Sequence, residues 1–473
     1  MTSSSQRPGR IVRVPQGVAN LQRREFLRRG AVLSAAGAAA PWALSLAAVG
    51  DAAAATAPVN DYKALVCVFL YGANDHANTV VPYDSTNYAS YANIRAALAT
   101  PFNQLLPLTP DVALPSGAQM ALAPQLTGLK SLFDAGALGV VLNVGTLVVP
   151  TTLAQYKAQS VPLPPKLFSH NDQQSVWQSS LAEGATSGWG GRLGDLFLSQ
   201  NSTSTFTCMN VSGNAVFVSG QQAVQYQVSS SGAVKLNATA SNAFGSSAVS
   251  KAMLALSQGS STRWMENEHA RIMSRAIQAE AQLSSGLAGV PTLSTPFNSS
   301  NPLAMQLQMV ARTIAARGAM GTKRQVFFVS LGGFDLHDNL VAQHPGLLTR
   351  ISEALSSFHA ATVELGVANQ VTTFTASDFG RTLTSNGDGS DHGWGSHHFV
   401  MGGGVAGKRF FGKLPVTAVN GPDDVGQGRL LPTTSVDQLG AALATWFGVA
   451  DSDLPTVFPH VRNFAAGTLP LFR

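Results

Sequence analysis

The sequence predicts an α/β fold in which a mainly parallel sheet is covered by helices. Two observations carry that prediction. Four continuous apolar runs have strand length, and each opens at its carboxyl end into Gly, Asp, Ser or His. Three stretches with i, i+3/i+4 apolar spacing precede the last three runs, and such alternation is the mark of parallel strands joined by helical crossovers. In that architecture a site forms where strands end at their carboxyl edge.

The elements follow in order. Residues 63–75, KALVCVFLYGAND, read as a strand buried on both faces that runs into a polar turn. PQLTGLKSLFDAG (124–136) reads as a helix and GALGVVLNVGT (136–146) as the second strand. NPLAMQLQMVARTIAARGAM (301–320) and RQVFFVSLGGFDLHD (324–338) form the next helix–strand pair, and LLTRISEALSSFHAATVELG (347–366) with NQVTTFTASDFGR (369–381) the last. The polar, Ser/Asn-rich stretch at 197–262 breaks the pattern and is expected to be an insertion or cap, followed by a helix beginning RWMENEHARIM. No fixed period recurs, which excludes a solenoid.

The 473 residues are 45% hydrophobic and 12% charged, enough for a sizeable core and too apolar for a disordered chain. The net charge of +5 has a local origin. Residues 1–57 hold seven of the 30 basic and two of the 25 acidic side chains, which leaves 23 of each beyond them. A neutral body gives no footing for nucleic acid. The segment itself pairs Arg23 with Arg24, continues through Phe26 and Leu27 into an Ala-rich run, and ends near Ala55, Thr56 and Ala57. That is the form of a twin-arginine export signal with an A-x-A cleavage site, expected to be cut after Ala57. The alternative is a single membrane anchor, against which stand the weakly apolar composition and Pro41. Residues 58–473 are then one exported domain, periplasmic or secreted, that has met the twin-arginine machinery and keeps no membrane span. With only Cys67 and Cys208, at most one disulfide is available, and two unpaired small hydrophobes are the simpler expectation.

Carboxylates and imidazoles gather at the expected strand ends: Asp75, Asp335 with His337, Asp378, and Asp391 with His392. Such oxygen and nitrogen donors, converging from separate loops, suit divalent zinc, manganese, magnesium or calcium. Each also has an ordinary role. Asp75 in GAND could close a turn, and Asp335 could cap the next helix, although Asp338 is better placed to do so. Asp335 and His337, at i and i+2, share one side of an extended segment. Ser169 precedes a helix-like stretch, where a hydroxyl serves as an N-cap and where a metal-activated nucleophile would gain from free backbone amides. His170 stands beside it, and His170 or His392 is a candidate general acid. Arg192 and Arg381, each in a Gly-containing loop, could clamp an anion or tie down their loops, with Arg381 favoured by its neighbour Asp378. His397 and His398 are alternative ligands, one pointing into the site and the other away. His269, His344, His359 and His460 are read as ordinary packed or solvated histidines.

As an ordered set, VFLYGANDHANTVVPYD, LFSHNDQQSVWQ, GWGGRLGD, LGGFDLHDN, TASDFGRT and SDHGWGSHHFVMGGGVAGKRFFG resemble the exported domain-of-unknown-function family 1501, from Ala64 to about Leu414. The resemblance implies an alkaline-phosphatase-like three-layer α/β/α sandwich with a metal site at the carboxyl edge, related to sulfatases. It implies that Asp75, Asp335, His337, Asp378 and His392 are metal ligands, with Asp391 as a further candidate, and that Ser169 stands in the place of the nucleophile. Phe379 departs from the superfamily pattern, which has a histidine after the strand-ending aspartate. The expectation is a metal-dependent hydrolase of phosphate or sulfate esters, small or polymeric, using a divalent metal and no nucleotide cofactor. The alternative is a binding or assembly protein that keeps the fold without catalysis, which Phe379 favours.

Overall fold

Strand β1 spans Lys63–Leu70, and its seven inner residues are almost wholly buried. The reason is visible in its packing. Ala64, Val66, Val68 and Leu70 enter one core, while Leu65, Cys67 and Phe69 enter another on the opposite face. A strand apolar on both faces needs a cover on both, and that requirement makes three layers.

The computed structural model describes residues 61–235, 242–259, 261–467 and 469–473. The expected export signal at 1–57 lies outside the described residues. The central sheet comprises β1, β2 (Leu138–Gly145), β3 (Cys208–Asn210), β4 (Tyr226–Ser229), β5 (Gly232–Ala233), β6 (Arg324–Leu331), β7 (Val371–Ser377), β8 (Ser396–Met401), β9 (Phe410–Phe411) and β10 (Thr434–Ser435). Their order is β9-β2-β8-β7-β1-β6-β3-β4-β5, with β10 also on β2. β7, β1, β6, β3 and β4 run parallel, as do β9 and β10 with β2. β8 runs antiparallel to both its neighbours, β7 and β2. The sheet is therefore mixed and mostly parallel, as the sequence predicts.

The first core is covered by α1 (Thr127–Asp134), α4 (Trp264–Ala288), α5 (Pro302–Ala315) and α6 (Leu340–Glu364). The second is covered by α2 (His170–Ser179), α3 (Trp189–Phe197) and α7 (Val436–Phe447). Local chemistry fixes where these helices begin. Asn301 accepts from the amides of Leu303 and Ala304 ahead of Pro302, and Ser435 with Gln438 makes a reciprocal capping box. Phe133, Phe197, Phe358 and Phe447 seal the two cores, and burying each such ring stabilises by about 1.5–3 kcal/mol.

Within 197–262, expected as insertion or cap, β3 and β4 extend the central sheet and Ser247–Gln258 is helical. Cys67 and Cys208 are free and buried. Among the described residues no helix is long and apolar enough to cross a membrane.

The register brings the chemistry to one edge. Leu70 lies opposite Ser377 on one side and Leu331 on the other, so 71–75, 332–337 and 378 leave the sheet together. A short hairpin, Arg381–Ser385 paired with Ser390–His392, then crosses the chain's path between β7 and β8.

Candidate metal centre

After β6 the chain bends, with Gly333 at φ 100° and the Leu336 amide donating to the Phe334 carbonyl across Asp335, and Phe334 and Leu336 are buried. Asp335, at the centre of that tight turn, and His337 are both left facing outward. The hairpin sets His392 opposite Arg381, and it seats closely because a side chain at Gly380 would meet the Gly395 carbonyl at 2.0 Å. His170 enters from the first residue of α2. The loop before it holds Lys166 and Phe168 at φ of 40° and 73°, in the left-handed region that bulky residues avoid, so the preceding segment is strained.

These elements bring three imidazoles and a carboxylate together. His392 Nε2 lies 3.1 Å from His170 Nε2 and 2.9 Å from His337 Nε2. Asp335 Oδ1 is 3.0 Å from His337 Nε2 and 3.3 Å from His392 Nε2, while Oδ2 is 3.4 Å from His170 Nε2. One ligand atom from each of His170, Asp335 and His392 falls within 4.8 Å of the others.

The opposite ring nitrogens are each committed. His170 Nδ1 donates to Asp378 Oδ2 at 2.6 Å, His337 Nδ1 to Asp391 Oδ1 at 3.1 Å, and His392 Nδ1 to the Phe168 carbonyl at 2.7 Å. A carbonyl or carboxylate can only accept, so neutral His170 and His392, with close acceptors at Nδ1, carry the proton there and present a lone pair at Nε2, whereas His337 stands between two carboxylates, Asp391 at Nδ1 and Asp335 at Nε2. Lone pairs facing one another repel unless a cation stands among them, and an imidazole whose far nitrogen is held by an acceptor is the usual arrangement around a metal.

Nearby charges shift the individual groups in different directions. Partial burial works to raise the Asp335 carboxyl, but the Arg381 hydrogen bond and charge prevail and hold it below the usual range. The hydrogen bond to Asp378, with the charges of Asp378 and Asp335, raises the His170 imidazole in spite of burial. Burial lowers His392, and the neighbouring His170 and Arg381 charges add to the effect. Phe379 is buried, its ring 4.8 Å from that of His170 and 4.9 Å from that of His392, an apolar wall beside both rings.

The remaining residues singled out in the sequence stand elsewhere. Asp75 is buried against Arg95 in an ion pair and caps 76–78 by accepting from the Asn78 amide, so a cation already occupies its carboxylate. Asp378 stands one shell back. Its Oδ2 also accepts from Gln174 and its Oδ1 from the Gly72 amide, and Asp391 likewise orients His337. Ser169 holds the N-cap position of α2 without a side-chain cap bond, and its hydroxyl donates to Asp172 at 2.7 Å. Arg381 is fully buried on Asp335 and Ser390. Arg192 is tied to the carbonyls of Ser179, Ser187 and Val457, away from the cluster. His397 and His398 are both buried within β8, His397 Nδ1 accepting from the Asn143 amide and His398 lying beside Thr375 and Trp177.

Sequence reasoning passed over Arg95, Asp172, Gln174 and the Phe168 carbonyl. A cavity of about 740 Å³ lined by Trp446, Phe464 and Phe472 includes none of the converging side chains, which lie at an open face, with Asp335 44% and His337 39% exposed.

Solved structures similar to this chain include the PsFucS1 sulfatase from Pseudoalteromonas sp., 10% identical over 88% of this chain and 74% of that one, with a TM-score of 0.35. The C-terminal periplasmic domain of EcEptC from Escherichia coli is 10% identical over 88% and 91%, with a TM-score of 0.36. The lipoteichoic acid synthase LtaP from Listeria monocytogenes is 8% identical over 85% and 76%, with a TM-score of 0.34. No curated protein matches by sequence. The family described as "Protein of unknown function (DUF1501)" matches residues 62–454, most of the chain, and the protein belongs to that family.

Proposed function

We propose that this chain is a metal-dependent hydrolase of phosphate or sulfate esters, with His170, Asp335, His337 and His392 as the ligand set. The carrying observation is the convergence of three Nε2 atoms whose rings are each fixed from behind by an acceptor. Imidazole with one carboxylate favours zinc or manganese over calcium, which takes oxygen donors. A divalent ion bound there supplies Lewis-acid stabilisation of the charge that develops in displacement at phosphorus or sulfur.

The chain's own groups do the positioning. Asp378 and the Phe168 carbonyl keep the protons at Nδ1 of His170 and His392, Asp391 holds His337 from behind, and Gln174 steadies Asp378. Arg381 neutralises Asp335 Oδ1 and leaves Oδ2 the freer oxygen. Phe379 excludes water from one side of the two rings. A small or polymeric ester could reach the open face.

Elemental analysis of purified protein and turnover of aryl phosphates and sulfates test the reading. Wild type is expected to carry a transition metal and to hydrolyse at least one ester class, and H392A to lose both; metal-loaded wild type that turns over neither class sinks it. One observation favours a binding protein without catalysis: the Ser169 hydroxyl is occupied by Asp172, so the residue in the nucleophile's place is otherwise engaged. Metal binding without turnover supports that second reading.

A further inference from the structure

An anionic ester is held well when a fixed cation beside the centre meets the oxygens that do not react. Arg381 commits Nη1 to Asp335, Nη2 to the Ser390 carbonyl and Nε to the Ser390 hydroxyl, and it is fully buried. Arg95 is consumed by Asp75 and the Thr382 carbonyl. Lys166 has Asp172 at 3.4 Å and Glu183 at 3.9 Å.

Arg429 differs from all of these. Its Nε donates to the His392 carbonyl at 2.8 Å, and its Nη1 reaches the Gly426 carbonyl at 3.4 Å. Its guanidinium lies over the Phe168 ring, 4.9 Å from the centroid. Among the described residues it pairs with no carboxylate. The nearby Asp424 is buried and spent on its own loop, accepting from the amides of Asn420, Gly426 and Gly428 at 2.7, 2.6 and 2.8 Å. Gly426 and Gly428 adopt φ of 128° and 72°, so the turn that presents Arg429 is one that glycine alone accepts readily.

Carbonyl acceptors orient a guanidinium without cancelling its charge, and two such contacts leave most of its five N–H donors available. Arg429 is thus a half-buried, uncompensated cation anchored to the backbone of one ligand, His392, and to the residue whose carbonyl fixes that ligand's ring. A planar fork held in advance is what bidentate recognition of an oxyanion needs.

We propose that Arg429 forms the anion subsite of this centre and grips the phosphate or sulfate oxygens of the ester. This rests on the hydrolase reading above. It replaces Arg381, the arginine favoured from sequence, as the substrate clamp.

The test uses the full exported chain as wild type, R429K and R429M, with metal content and melting temperature measured first. Binding of inorganic phosphate and of inorganic sulfate is then titrated calorimetrically, and kcat and KM are determined on aryl esters. Expected is metal content unchanged in R429M, at least a tenfold rise in the dissociation constant of the anion that wild type binds, and a KM increase larger than the kcat loss. R429K should recover part of the anion affinity. If R429M loses metal or melting temperature while its metal-loaded fraction binds the anion as wild type does, Arg429 only fastens its loop and the proposal is overturned. The hydrolase reading fails separately. Should wild type turn over no ester, the titration still decides: anion binding that R429M abolishes upholds the subsite, and absence of anion binding in wild type overturns it.

Discussion

Asp378 and His170, 208 residues apart in sequence, meet at 2.6 Å through Oδ2 and Nδ1 and join the end of β7 to the first residue of α2. Asp378 is fully buried, so the bond forms where water does not compete. D378N keeps the shape but removes the charge that fixes the proton on Nδ1. Loss of such an outer partner typically costs 10–100-fold in metal affinity. A metal-buffered titration of D378N should show a fall of that size with the melting temperature of the metal-free protein nearly unchanged; equal affinities would remove Asp378 from this role.

Asp75 and Arg95 make a second buried pair, both almost without exposure. Removing one partner strands a charge, which costs about 3–5 kcal/mol, whereas replacing both by isosteric neutral groups costs far less. Urea unfolding of R95M should therefore show a larger loss of stability than the double variant D75N/R95M. The opposite order would mean that the carboxylate carries its own neutralising partner and is open to a metal.

His344 gives the pH dependence a sign. Burial, with the charges of Arg95 and Arg381 adding to it against Asp75, pushes its imidazole from 6.5 down to about 4, and its Nε2 meets Asn74 Oδ1 at 2.9 Å. The folded protein then leaves this ring neutral between those values while the unfolded chain protonates it. Its contribution is fully present above pH 6.5 and is lost as pH falls towards 4. His76, also lowered to about 4, acts in the same direction. Replacement by H344Q should flatten the dependence of unfolding free energy on pH in this window by up to about 1.4 kcal/mol per pH unit. Superimposable slopes would show that His344 is not neutral when folded.

The export reading makes its own prediction. Changing Arg23 and Arg24 together to Lys should leave the precursor uncleaved inside the cell, because twin-arginine recognition reads the guanidinium pair. Normal processing of the double variant, followed by fractionation and N-terminal sequencing, would rule that route out.

Much of this was legible because parallel strands announce themselves. β1, β2, β6 and β7 are unbroken apolar runs, and their polar ends hold Asp335, His337 and Asp378. What escaped has physical reasons. The partner of Asp75 sits on the helix Ser85–Arg95, and no local pattern says that a guanidinium will fold back onto a strand end. The support for His392 is a backbone carbonyl, at Phe168, which every residue possesses and no sequence advertises. The sequence expects His397 and His398 as alternative ligands, one turned into the site and one away; both are buried in β8, a short strand that runs against the direction of its neighbours. Helix α6 starts at Leu340, earlier than its periodicity suggests, because Pro345 interrupts the signal without ending the helix.

The antiparallel course of β8 has a kinetic consequence. The chain leaves β7 after Ser377 and returns as β8 at Ser396, and those two strands are hydrogen-bonded neighbours, so the excursion carrying His392 is moored at both ends in the middle of the sheet. Such a short, doubly anchored arch cannot swing like a lid without unzipping central strands. Amides of β7 and β8 should exchange with solvent only on global opening. His392 would therefore keep its place opposite the other donors for as long as β7 and β8 stay paired.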